Sequence, residues 1–247
     1  MYIGVGMALG TSAAGRNRPI VSAPVGGYHA GMAGGLWHWL WWTDWGLLVR
    51  IGLGVVVFVG LAAADLARRG REATRWKEYL FLASATAAAM AYGLANDMIT
   101  VTISPEYFLH HEGLPLETPN VRALAAVVAL KATWSVGLVL GVAMLLANNP
   151  SKRWPQLPYR RMYPKLLCPF LAAGALALLG GASAWCGWFD GPLGIIDAAN
   201  SGPIFCVYYA HLGAYLGGLA GGIAAVVAIR RQRRRLSWPS SGPAQSA

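Results

Sequence analysis

Three ionisable residues stand out inside the apolar stretches of this 247-residue chain: Asp97, Lys131 and His211. A charged group in a membrane costs several kcal/mol unless it is paired or hydrated, so such residues are functional candidates. Each has polar company at helical spacing. Asn96 and Thr100 flank Asp97, Trp134 and Ser135 share a face with Lys131, and Tyr208 and Tyr215 stand three and four residues from His211. Beyond Asp97 the segment TVTISPEYFLHHEG adds Glu106, His110, His111 and Glu112, with Pro105 placed to end or kink a helix.

Several chemistries are open to this set. Carboxylates and imidazoles are borderline ligands for a divalent transition metal, and Asp97, Glu106 and His211 form a candidate metal set. Asp97, His211 and Lys131 are candidate catalytic groups, with an Asp–His pair able to carry protons. A structural role is the competing reading: Asp97 and Lys131 neutralise each other, and His211 bonds a tyrosine to fix helix register.

The elements that would position these groups are membrane helices. Hydrophobic residues make up 56% of the chain and charged residues 12%, against about 25% charged in soluble domains. Five apolar runs are long enough to span a bilayer, at 46–66, 79–101, 122–146, 166–185 and 205–229. The expected fold is an all-α integral membrane bundle of about five transmembrane helices.

The net charge of +10 is explained by topology rather than by nucleic acid. Fifteen of the twenty basic residues fall in three regions: Arg68 to Lys77, Lys152 to Lys165 and Arg230 to Arg235. Five spans put all three regions on one side. The positive-inside rule then places the N-terminus outside and the C-terminus in the cytoplasm. All five histidines (His29, His38, His110, His111 and His211) fall on the outer half, with Asp44, Glu106, Glu112, Glu117, Asp190 and Asp197 in or beside the outer loops.

Three regions follow. Residues 1–45 form a Gly- and Trp-rich extracytoplasmic lead-in, whose WHWLWWTDW run suits the headgroup layer. Residues 46–229 form the membrane domain, and 230–247 a basic cytoplasmic tail. No basic residue precedes the apolar N-terminal stretch, so a cleaved signal is not expected. The expected location is the inner membrane of a bacterium, with the lipid bilayer and another membrane protein as partners.

Some chemistry is excluded by missing motifs. The sequence has no P-loop, no dinucleotide-binding glycine pattern, no H-E-x-x-H and no nucleophile elbow. Paired haem histidines within helices are missing too. Gly213, Gly217 and Gly221 repeat every four residues, as do Gly218 and Gly222, a spacing that lets helices approach closely. Cys186 and Cys206 flank the last outer loop and are either a disulfide or two thiols.

The stretches LANDMITVTISPEYF, ATWSVGLVLGV and YYAHLGAYLGGLAGG resemble a family of small, uncharacterised bacterial polytopic membrane proteins. Its signature is His-Asp-x-(Ile/Val)-Thr…Glu-Tyr-Phe, followed by Ala-Thr-Trp-x-Val-Gly and Ala-His-x-x-(Ser/Ala)-Tyr. The resemblance covers about residues 79–229. It implies roles for Asp97, Glu106, Tyr107, Phe108, Trp134, His211 and Tyr215. Asn96 stands where the resemblance implies a histidine. The resemblance brings no reaction with it. The functional expectation is therefore an outward-facing acid/histidine pocket that binds metal or does acid–base work, with an accessory subunit of a membrane complex or a small proton-coupled transporter as alternatives.

Overall fold

A computed structural model describes residues 44–110, 120–149, 154–189 and 201–236. The lead-in to residue 43, with its histidines and most of its tryptophans, lies outside them. So do His111, Glu112, Glu117, Asp190, Asp197 and the tail from 237.

The described residues are built from helices, with no strand among them. They are α1 (Asp44–Arg69), a 3-10 turn (Gly70–Glu72), α2 (Arg75–Ile103), α3 (Pro105–His110), α4 (Val121–Ala147), α5 (Tyr159–Trp185) and α6 (Ser201–Leu236). Four stretches are long and apolar enough to cross a membrane: Gly46–Glu72, Val121–Ala147, Tyr159–Trp185 and Gly202–Leu236. At 29 residues α2 has the length too. Its apolar content is diluted by Ser84, Thr86, Tyr92, Asn96, Asp97 and Thr100, so it does not join the four.

Boundaries differ from the hydropathy reading where prolines or charges misled it. The fourth expected span began at 166, whereas α5 starts at Tyr159 and runs through Pro164 and Pro169. Proline removes one backbone donor without dictating a break when packing holds the helix. The fifth ended at 229, whereas α6 continues to Leu236 through the basic run. Arginine is a good helix former, so charge ends the apolar span but not the helix. Pro105 does stop α2: Ser104 is extended (φ −147°, ψ 95°) and α3 begins at the proline.

The bundle is assembled from two close pairs. The most extensive contact is α5 with α6, and the next is α2 with α4. Glycine makes the first pair possible. A Cβ at Gly213, Gly217 or Gly221 would strike the α5 backbone at Leu176, Ala172 and Pro169 or Cys168. In the second pair, Gly137 of α4 lies against Thr86 and Ala85 of α2 in the same way. The halves meet in an apolar core near the basic end: Phe81 and Ala85 of α2, Met144 of α4, Leu166 of α5, and Ala225 and Ile229 of α6. A second core at the other end joins Val101, Tyr107, Phe108, Ala125 and Val207.

α1 stands at the periphery, with only 6% of its apolar window buried. It is tied on by Phe58 stacked on Tyr79 at 5.7 Å. Asp65, at its basic end, accepts the backbone N–H of Arg75 at 3.0 Å. That carboxylate supplies the cap that the side chain of Thr74 does not give α2.

The basic end is closed by two polar locks. Asn148 follows α4, accepts the N–H of Leu157 at 2.8 Å and donates to the Leu157 carbonyl at 3.0 Å. Arg233 of α6 is 4% exposed. Its guanidinium donates to the carbonyls of Ala147 (2.7 Å), Asn149 (2.6 Å), Trp154 (2.9 Å) and Pro155 (2.9 Å). Those oxygens include the unpaired C-terminal carbonyls of α4, where a cation is also favoured by the helix dipole.

Candidate functional site

Asp97 and His211 meet where the two halves of the bundle face each other. They are 6% and 7% exposed, so neither is solvated like a surface residue. His211 Nε2 lies 3.8 Å from Asp97 Oδ1, beyond a hydrogen bond but within ion-pair range. The hydroxyl of Thr100 lies closer, 3.3 Å from the same nitrogen. Asn96 Nδ2 donates to Asp97 Oδ1 at 3.2 Å. The dyad is therefore a small buried network, built mainly from one face of α2 and one residue of α6.

The tautomer of His211 can be argued from Thr100. That hydroxyl has one proton, and its shortest contact is the Asn96 carbonyl at 3.0 Å, the usual back-bond of a helical threonine. With its proton committed there, it presents a lone pair to Nε2, which then carries the hydrogen. An Nε2–H points at both Thr100 and the Asp97 carboxylate.

Aromatic rings complete the surroundings. Tyr107 stacks on the imidazole at 5.2 Å and 25°. Phe108 and Tyr215 present edges to it at 6.1 and 6.4 Å. Tyr107 and Phe108 belong to the six-residue α3, which crosses the site at the end away from the basic residues. Among the described residues, α3 is the element that covers this end of the site.

The other sequence candidates are placed differently. Glu106 is exposed and accepts a hydrogen bond from the buried Ser104 hydroxyl at 3.1 Å. No three His, Cys, Asp or Glu side chains among the described residues are grouped to hold a metal ion. The proposed set of Asp97, Glu106 and His211 is therefore a pair plus a separate surface carboxylate. Lys131 is half-buried on α4. It is two residues from both Ala129 and Thr133, and Thr133 faces Gly93 on the α2 seam. Two residues are about 200° of helix, which turns Lys131 toward the side of Trp134. There Arg50 of α1 lies 5.5 Å from the Trp134 ring. Cys168, Cys186 and Cys206 are all thiols.

Sequence reasoning missed Ser104 and Tyr92. The signal was present, since Tyr92, Asn96, Thr100 and Ser104 recur every four residues along α2. Tyr92 packs on Ala177, Ala210 and Ala214, two of which bracket His211 on α6. Its hydroxyl is buried without a hydrogen-bond partner among the described residues.

Comparison with protein families, curated proteins and solved structures returned no match.

Proposed function

We propose that the chain is a five-span protein of a bacterial inner membrane, N-terminus outside and C-terminus cytoplasmic, with a buried acid–base site formed by Asp97 and His211. The observation that carries the reading is a carboxylate and an imidazole, both almost wholly buried, 3.8 Å apart in a predominantly apolar helix bundle. Such groups in a membrane interior are expensive to keep and serve proton handling well. α2 is the fifth span in this reading. Its polar stripe faces the other half of the bundle, which explains a low hydropathy in a helix of spanning length. The basic ends of α1, α5 and α6 support the assigned sidedness.

The test is whether the two residues titrate as a unit. The full chain, with labelled histidine, is placed in lipid nanodiscs and the His211 nitrogen resonances are followed with pH. Asp97→Asn is expected to move the His211 midpoint, and Glu106→Gln to leave it in place. A midpoint unmoved by Asp97→Asn, in protein that elutes as the wild type, would refute the reading. Stoichiometric metal in purified protein, lost in both His211→Ala and Glu106→Ala, would favour a metal site instead.

An accessory-subunit role is favoured by one separate observation, the largely uncovered α1. Its apolar side chains, among them Leu53, Val56 and Val59, are more than half exposed and suit lipid or a partner helix. Co-purification from the native membrane tests that role, and a monomer in mild detergent counts against it.

A further inference from the structure

We infer that the Asp97–His211 pair exchanges protons with one side of the membrane only, through the thin roof made by α3, and is sealed from the basic end. This deepens the acid–base reading and rests on it.

The polar groups of α2 form a stripe that begins at one end and stops halfway. Tyr92, Asn96, Thr100 and Ser104 lie four residues apart, so successive members are offset by only about 40° around the helix. From Ser104 to Tyr92 the stripe is roughly 18 Å long. Its outer end reaches the surface, where buried Ser104 donates to exposed Glu106. Its middle holds Thr100 and Asp97 against His211. Its floor is the buried Tyr92 hydroxyl, which has no described partner. A buried hydroxyl left without a partner is unfavourable, and one water shared with the groups above would satisfy it.

Inward of Tyr92 the character changes. The next buried positions of α2 are Ala89, Ala85, Leu82 and Phe81. The last of these joins Met144, Leu166, Ala225 and Ile229 in the core where all four inner helices meet. Ser84 and Thr86 are in this stretch; the Ser84 hydroxyl donates to the Leu80 carbonyl at 2.8 Å, and Thr86 lies on the α4 seam against Gly137. From Tyr92 to Tyr79, the next ionisable residue of α2, the path is roughly 20 Å. Outward, the cover among the described residues is the six-residue α3.

The ionisable groups around the pair support a one-sided path. α2 contributes Tyr92, α3 contributes Glu106 and Tyr107, and α6 contributes Tyr208 and Tyr215. α4 carries Lys131, on the side of Trp134, and α1 carries Arg50 beside that ring. α5 has no titratable side chain between Pro169 and Trp185. Toward the basic end, α5 sets Tyr159, Tyr163 and Cys168 against the apolar core, and the two tyrosine rings pack on Phe81. A proton arriving from outside water is held at Glu106, passes beneath α3 and resides on the imidazole; it leaves by the same route, so nothing is carried across.

The experiment uses the full chain in sealed proteoliposomes of known orientation. Cys186 is exposed at the outer end of α5, whereas Cys206 is buried and Cys168 half-buried. An impermeant maleimide on Cys186 therefore reports which face is outward. Infrared difference spectra with isotope-labelled histidine follow the pair after a pH step on one side. The expected result is a rapid response to a step on the Cys186 side and none to a step on the other. Glu106→Gln should slow the response several-fold without abolishing it. Tyr92→Phe should shift the carboxyl band assigned with Asp97→Asn. A response to the basic side, or proton flux above that of protein-free vesicles, overturns one-sided access while leaving the acid–base reading intact. No response to either side overturns both.

Discussion

Arg233 offers the most quantitative test of the fold. Its guanidinium makes four hydrogen bonds to main-chain carbonyls while only 4% exposed. A hydrogen bond from a charged donor contributes about 1.5–3 kcal/mol. The four are not additive, because one planar group makes them all and its desolvation opposes them. Arg233→Ala removes the donor and leaves four carbonyls, two at the end of α4 and two in the α4–α5 connection. Water can reach some of them at this end of the bundle, so the cost is held to about 3–5 kcal/mol, the range for breaking a buried charged contact. The assay is equilibrium unfolding in mixed micelles, followed by helical circular dichroism. Two controls make it specific. Arg234→Ala removes a guanidinium 5.0 Å from the Trp154 ring and should cost about 0.5–1 kcal/mol. Arg233→Lys keeps the charge but not the fork of donors, and should recover only part of the loss. If Arg233→Ala falls within about 0.5 kcal/mol of wild type, or costs no more than Arg234→Ala, the lock does not hold the helix ends.

Other substitutions probe the packing and the site. Thr100→Val removes the acceptor facing His211 Nε2, and the nitrogen chemical shifts should report a smaller share of the Nε2–H tautomer; an unchanged ratio contradicts the assignment. Gly217→Leu drives a side chain into the α5 backbone at Ala172 and should abolish folded yield, whereas Gly54→Ala on α1 meets nothing within 4 Å and should stabilise by about 0.5–1 kcal/mol. Asn148→Ala leaves both main-chain groups of Leu157 without their side-chain partner and should cost about 2–3 kcal/mol in the same unfolding assay.

Much of the architecture was legible because membrane helices advertise themselves. Long apolar runs located four spanning-length helices, and the proline at 105 marked the end of α2. The glycine spacing on α6 foretold a close helix contact, which the structure makes with α5. The approach of Asp97 to His211 was anticipated only as a possibility, since helical spacing gives the face of a residue but not which helix lies opposite. That same gap explains Glu106 and Lys131. Both occur at a suitable depth in sequence, yet the turn at Ser104 directs Glu106 to the surface, and the phase of α4 directs Lys131 off the α2 seam. Arg233 was hidden in a run of arginines that reads simply as a topology signal. Nothing in five neighbouring cations distinguishes the one whose helical phase turns it toward the ends of α4.

The division of the bundle into two glycine-tight pairs has a consequence for biogenesis. Asp97 belongs to the α2–α4 pair and His211 to the α5–α6 pair, and the chain supplies them more than a hundred residues apart. During synthesis the first pair is inserted before the second exists. Until α6 docks, Asp97 is a carboxylate whose imidazole has not yet been made, with the Asn96 amide donating to it from the same helix. Completion of the dyad is therefore a late event, and a nascent chain arrested before residue 211 would present an intact acidic half-site to the lipid and to any insertion factor that surveys unfinished membrane helices.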